Sequence, residues 1–151
     1  MSNRGLDDQG FLIPQVDEES EPFWEGTARG ELLVQQCNRC AILRFPPRPM
    51  CHLCQSTERS WTPMAGTGTI WSYVVPHPPL LDAYAALSPY NVILVELDED
   101  PIIRLVGNLV ASEDGPVNEI DPTTIGIGER VRAVFPEGPG GYHLPRWLRL
   151  D

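Results

Sequence analysis

Four cysteines form two pairs, Cys37-Asn38-Arg39-Cys40 and Cys51-His52-Leu53-Cys54, and the chain has no others. In a CxxC the backbone turns back, so the second sulfur reaches an ion already held by the first. Two such knuckles place four thiolates around one Zn²⁺, an ion without geometric preference that suits a closed tetrahedral all-sulfur shell. Ten residues separate the pairs. The usual two-knuckle pattern has a spacer of roughly 15–20 residues, so the shorter spacer predicts a compact ribbon. A closed shell leaves no position for water or substrate, which makes the predicted ion structural. Two readings compete: a pair of disulfides, or a redox-active dithiol. Met1-Ser2-Asn3-Arg4 leads into acidic residues without an apolar run of signal length. That predicts a reducing cytoplasm, where structural disulfides are rare. A thioredoxin-type motif is one CxxC near a βαβ pattern, whereas here two flank an Arg- and Pro-rich turn. His52 lies inside the second knuckle and reads as a polar loop residue beside the four sulfurs.

Little else in the chain is placed to do chemistry, and no catalytic residue is predicted. There is no HExxH, GxSxG or Walker pattern. The histidines are scattered as His52, His77 and His143. His77 sits between prolines, with no partner in view. Asp98, Glu99 and Asp100 cluster in what reads as a hairpin turn, which favours a solvated charge run over a paired acid and base. With every cysteine committed to metal, no thiol nucleophile remains. All 11 basic residues are arginine, so no Schiff-base lysine and no P-loop lysine exist.

The 151 residues suffice for one domain or two very small ones, and 42% apolar content supports a real core. No stretch approaches the ~18 apolar residues of a membrane span. The net charge of −10 argues against nucleic acid as a partner, because such a surface carries a basic patch or stripe. Sixteen prolines and thirteen glycines predict many turns and few long helices.

The elements that must carry the cysteines follow from these breaks. Residues 1–16 read as a flexible polar tail. Ser20 is placed to cap a short helix, with Pro22 in its first turn and an end near Gly30. Residues 31–36 read as a strand delivering Cys37, and 42–46 as the return strand. The stretch 58–64 leaves the ribbon around Trp61. From Gly66 the pattern is β-rich, with strands expected over 68–75, 91–97, 102–110, 130–135 and 143–150. Gly107 is a candidate bulge. Five short strands with no helical period predict a small closed barrel of the OB type, with a β-sandwich as the alternative. The division is therefore a tail over 1–16, a helix and zinc ribbon over 17–64, and a barrel over 65–151. The segment from Pro76 to Tyr90 is long and apolar. It reads either as a lid on the protein's own barrel or as a docking surface or wall for an apolar ligand. Residues 112–124 read as an acidic, solvated connection.

The order of parts resembles a known family, in which a helix, a rubredoxin-like zinc ribbon and an OB-fold barrel follow one another. It was first described as a domain of unknown function, and it is associated with acyl-CoA enzymes. The matching residues are Phe23-Trp24-Glu25-Gly26, Gly30-Glu31-Leu32, the two CxxC pairs, Arg44-Phe45-Pro46-Pro47-Arg48 and Gly66-Thr67-Gly68-Thr69. Tyr90, Gly128-Glu129-Arg130-Val131 and Leu144-Pro145-Arg146 continue the match, which covers residues 20–150. The resemblance implies a thiolase-like partner subunit, such as a retro-aldolase cleaving a steroid side-chain acyl-CoA, and in some members a hot-dog-fold hydratase. It implies that the partner carries the chemistry while this chain serves assembly or stability. Only Cys37, Cys40, Cys51 and Cys54 carry over, as ligands of one structural zinc; residues contacting acyl-CoA are unknown. Arg44 and Arg48 can either supply a local phosphate pocket or pack against the ribbon. The alternatives are a stand-alone acyl-CoA binding or carrier module and, less favoured, a nucleic-acid-binding OB protein.

Overall fold

The computed structural model describes residues 5–151. Helix α1 spans Glu21–Ala28. Its start differs from the sequence expectation. Ser20 precedes the helix, but its hydroxyl caps nothing and instead donates to the Asp17 carboxylate at 2.6 Å. That carboxylate accepts the Ser20 amide at 2.8 Å, and the Asp17 carbonyl accepts the Glu21 amide. Asp17 therefore takes the capping role, because a carboxylate three residues ahead satisfies an orphan N–H as well as a hydroxyl does. The chain leaves α1 through Gly30 at φ 76, a left-handed conformation that glycine adopts freely.

The ribbon is a three-stranded antiparallel sheet in the order β2-β1-β3. Strand β1 (Leu32–Cys37) is buried along most of its length, β2 is only Leu43–Arg44, and β3 is Arg59–Met64. The return strand is shorter than predicted because Pro46 and Pro47 have no N–H to extend the ladder. The stretch expected to leave the ribbon at Trp61 instead pairs along all of β1, from Leu32↔Met64 to Cys37↔Arg59.

The second sheet closes on itself. Strands β4 (Thr67–Val74), β5 (Val92–Leu97), β6 (Arg104–Leu109), β7 (Arg130–Val134) and β8 (Arg146–Arg149) form a barrel in the order β4-β5-β6-β8-β7. All pairs are antiparallel except β6 with β8. A five-stranded barrel with this order is an OB fold, and the sandwich alternative falls away. Alternation sets the faces: Ile93, Val95 and Leu97 of β5 point inward, as do Leu105 and Leu109 of β6. Trp147 of β8 is fully buried at the centre.

Two glycines are required by close approach. A Cβ on Gly68 would lie 2.2 Å from the Glu96 carbonyl oxygen, in the strand that pairs on both sides to close the barrel. A Cβ on Gly107 would lie 2.7 Å from both Pro145 O and Trp147 Nε1. Gly107 is not the bulge expected from sequence; it pairs with Ile93 in regular register. The irregularity falls in β4, between Ile70 and Ser72. Gly107 is small because β8 crosses over it, and a local sequence window carries no trace of that crossing.

Residues 1–16 read from sequence as a flexible polar tail. Residues 1–4 of that tail lie outside the described residues. Beyond them, Leu6 bridges Leu12, and Phe11 stacks edge-on against Tyr84 at 5.3 Å between centroids. The Leu12 amide donates to the Tyr84 hydroxyl at 3.1 Å. Tyr84 belongs to α2 (Asp82–Ala85), the short helical turn within the Pro76–Tyr90 segment. The long segment is thus partly covered by the chain's own N-terminal residues.

Candidate functional site

Each CxxC closes through the same backbone pattern. The Cys37 carbonyl accepts the Ala41 amide at 2.9 Å, and the Cys37 amide donates to Ile42 O at 3.0 Å. The Cys51 carbonyl accepts Gln55 N at 3.0 Å, and the Cys51 amide donates to Ser56 O at 2.9 Å. The residue after each pair turns left-handed, Ala41 at φ 63 and Gln55 at φ 61. Positive φ is uncommon for a side-chain-bearing residue. Here it turns the chain back after each knuckle, so that the Ile42 and Ser56 carbonyls meet the Cys37 and Cys51 amides.

The four sulfurs all lie within 4.8 Å of one another, and no other such cluster is found among the described residues. The shortest approaches join the two knuckles: Cys37 to Cys54 at 3.5 Å and Cys40 to Cys51 at 3.6 Å. These distances decide between the readings. A disulfide needs about 2.05 Å between sulfurs. A tetrahedral shell with Zn–S near 2.3 Å has edges of about 3.8 Å. The donor set fits one zinc ion, and four thiols are positioned to bind it.

The electrostatics agree. The Cys54 and Leu53 amides aim at the Cys51 sulfur and draw its thiol down to about 6. The Cys40 and Arg39 amides do the same for Cys37, which is also lowered. The Ile42 amide favours a Cys40 thiolate too, but desolvation and the three neighbouring sulfurs override it and push that thiol up to about 12. Four negative sulfurs this close repel unless a dication sits among them. His52 is exposed and is not part of the cluster.

Beside the knuckles, Arg44 is 3% exposed. Its Nε donates to Gln35 Oε1 at 2.9 Å, and that oxygen also accepts the Arg48 amide at 3.0 Å. Gln35 reaches Glu19, which pairs with Arg59 at 2.5 Å. Arg44 therefore packs into the ribbon, whereas the Arg48 side chain is exposed. A cavity of about 310 Å³ lies there, between Arg44, Arg48, His52 and the barrel residues Ile102 and Ile103.

Two larger, mostly apolar cavities adjoin one another, and Phe45 and Pro46 line both the larger of them and the cavity beside Arg44. One, of about 480 Å³, lies under Phe11, Tyr84 and Leu87. The second, of about 610 Å³, lies between β6 and the residues Phe23, Trp24, Phe45 and Pro46 of α1 and the ribbon. Both are lined by Tyr84, Tyr90, Asn108, Leu144 and Arg146. The remaining sequence candidates stay apart. His77 is exposed, and the His143 Nδ1 lies 2.7 Å from Phe135 O. Asp98 accepts both Arg130 nitrogens, at 2.5 and 2.6 Å, and the Thr67 hydroxyl. That is a structural clamp across the β4, β5 and β7 ends.

Residues 24–58 match the rubredoxin-like zinc ribbon domain of ChsH2, and residues 61–136 match the C-terminal OB-fold domain of ChsH2. The solved Ltp2-ChsH2(DUF35) aldolase contains a chain 34% identical to this one, with a TM-score of 0.77. The match covers 91% of this chain and 98% of that one. The chain belongs to the ChsH2 family of zinc-ribbon and OB-fold proteins.

Two curated relatives match this chain over part of their longer lengths. A probable enoyl-CoA hydratase alpha subunit from Thermomonospora curvata is 39% identical over 97 residues. The 3-oxo-4,17-pregnadiene-20-carboxyl-CoA hydratase alpha subunit of Mycobacterium tuberculosis is 30% identical over 134 residues. The match takes in 64% and 89% of this chain, but only 29% and 39% of those proteins. A DUF35-family structure from Sulfolobus solfataricus, at 12% identity and a TM-score of 0.59 over 89% of this chain and 87% of its own, shares the fold. The zinc ribbon, the barrel and the family expected from the residues are all found. No helix among the described residues is long and apolar enough to cross a membrane.

Proposed function

We propose that this chain is a non-catalytic subunit of a thiolase-fold enzyme that cleaves or forms a C–C bond in an acyl-CoA. A retro-aldolase acting on a steroid side-chain acyl-CoA is the model case. The observation that carries this reading is the near-complete match to the ChsH2(DUF35) chain of an aldolase, at 34% identity over 98% of that chain. A relative that is a steroid-type acyl-CoA hydratase subunit supports the substrate class. The chain's own chemistry supports the division of labour. All four thiols sit in the metal cluster, and no lysine is available for a Schiff base. Cys37, Cys40, Cys51 and Cys54 are the zinc ligands, and a shell of four sulfurs has no open position for an enolate. The zinc thus holds the ribbon's shape, and the partner supplies acid, base and nucleophile. A reducing cytoplasm is the compartment that keeps these thiols ready for metal.

The test is co-expression with the thiolase-fold proteins of the same genome, followed by size-exclusion chromatography with light scattering and an acyl-CoA cleavage assay. The expected result is one stable hetero-oligomer that turns over acyl-CoA when neither chain does so alone. Turnover by this chain in verified absence of a partner would overturn the proposal. So would failure to associate with any thiolase-fold protein of the genome.

A further inference from the structure

The two adjoining cavities share a cation, Arg146, that no acid pairs with among the described residues. Five arginines pair with acids: Arg29 with Glu31, Arg59 with Glu19, Arg104 with Glu96, Arg130 with Asp98 and Arg149 with Glu129. Arg146 pairs with none among the described residues, although the chain is strongly acidic. Its one hydrogen bond runs to the neighbouring Pro145 carbonyl, at 3.4 Å. Two acids line the first cavity without answering it. Asp7 accepts the Gln9 and Phe11 amides, and Glu137 is exposed. A largely desolvated guanidinium left unpaired is costly, and burial lowers the pKa of Arg146.

Around this cation the walls are apolar and aromatic. Tyr84 and Tyr90 lie 6.3 Å apart, Leu144 flanks Arg146, and Phe23 and Trp24 close the far end. A mostly apolar concavity with one or two convergent polar groups is the usual build of a small-molecule site. Its size also fits, since the cavities of about 480 and 610 Å³ share one set of lining residues.

We infer that this groove between α1, α2 and the β6–β8 edge binds an amphipathic monoanion, its apolar body against Tyr84, Tyr90 and Leu144 and its carboxylate on Arg146. The inference is independent of the assembly proposed above, because it concerns a cavity complete within one chain. The proton bookkeeping is simple: a guanidinium meets an already ionised head group, so no proton moves. Tyr84 can add a donor. Its hydroxyl oxygen already accepts the Leu12 amide, and its own hydrogen is left to give.

The experiment is calorimetric titration of the zinc-loaded full chain with octanoate and with 1-octanol, which share an apolar body and differ in the head. The wild-type chain should bind both. Arg146→Gln should weaken octanoate about tenfold or more while leaving octanol unchanged, since a charge-assisted hydrogen bond is lost and the walls are not. Should R146Q fold poorly, Val106→Trp provides a second route. Val106 is 60% exposed yet lines the second cavity, so the larger ring can enter it from the surface and should exclude both probes. Equal octanoate affinity in wild type and R146Q overturns the assignment. Undiminished binding of both probes by V106W, or no binding of either by the wild-type chain, overturns it as well. In the last case the groove is left to a polypeptide segment.

Discussion

Replacing Cys51 with Ser probes the metal centre at its most committed ligand. Cys51 is fully buried, its amide and carbonyl both close the second knuckle, and its sulfur lies 3.6 Å from Cys40. A structural zinc supplies about 10–16 kcal/mol of apparent binding free energy at pH 7 in small zinc-finger peptides. Divided among four ligands, that is about 2.5–4 kcal/mol each, or about 10²–10³-fold in affinity. A serine hydroxyl does not recover this, because it does not ionise near neutral pH and oxygen is a harder donor than thiolate. Chelator competition followed by metal analysis reads the change. Wild type should hold one zinc per chain with four sulfurs at about 2.3 Å, and C51S should surrender it to about a hundredfold less chelator. His52→Ala serves as the control, since His52 is exposed and outside the cluster. Zinc retained by C51S at wild-type chelator resistance would refute the four-sulfur assignment. Equal loss in H52A would show that the histidine is a ligand after all.

Gly107→Ala should cost about 1–3 kcal/mol, because its Cβ meets Pro145 O and Trp147 Nε1 at 2.7 Å. That corresponds to a drop of about 2–12 °C in melting midpoint for a chain of this size, read by calorimetry. Asp98→Asn removes a carboxyl that Arg130 and then Thr67 hold down to about 2, against an ordinary 3.8. A depressed folded-state pKa gives stability that is present above the unfolded value and lost as pH falls toward 2. The pair is 48% and 36% exposed, so the wild-type advantage over D98N should be about 1 kcal/mol or less at pH 6. It should fall as pH drops below about 4 and vanish only below about pH 2, once the carboxyl is protonated in folded and unfolded chains alike; urea midpoints of both proteins across that range check it, with metal loss common to both. Single-stranded DNA should not bind at physiological salt in a fluorescence-anisotropy titration. The net charge is −10, and among the described residues five arginines are paired with acids.

The metal site was legible because its information is local. A CxxC writes its own turn, and two of them specify the ligand set without the rest of the fold. The barrel was legible from five β-rich runs separated by breakers, and its last strand starts later than expected because Pro145 has no ladder donor. What stayed hidden depends on distant approach. Gly107 reads as a bulge until β8 is seen crossing over it. Trp61 reads as an exit from the ribbon until β3 is seen pairing along β1. In sequence Arg146 is only part of the closing Leu144-Pro145-Arg146 motif; it takes the fold to give acidic partners to Arg104 and Arg149 and none to Arg146 among the described residues. The packing of the tail beyond residue 4 was hidden for the same reason. Phe11 and Leu12 are polar-tail residues in sequence and packing residues once Tyr84 stands beside them.

The ribbon and the barrel are separate in sequence and in sheet, yet they do not have separate cores. Phe23, Leu32 and Val34 belong to the same buried cluster as Ile103, Leu109 and Trp147. Phe45, the residue directly after β2, packs on that cluster and lies 5.4 Å from Phe23 between ring centroids. The zinc therefore acts at a distance. By holding the two knuckles it fixes the arm that carries Arg44, Phe45 and Pro46, and Phe45 and Pro46 form one wall of the larger groove. A change confined to the four sulfurs must reach the groove through that arm, whereas a change at Arg146 leaves the knuckles alone. The asymmetry gives the metal centre a role in the concavity: it steadies the arm that supplies Phe45 and Pro46 to the cavity's lining.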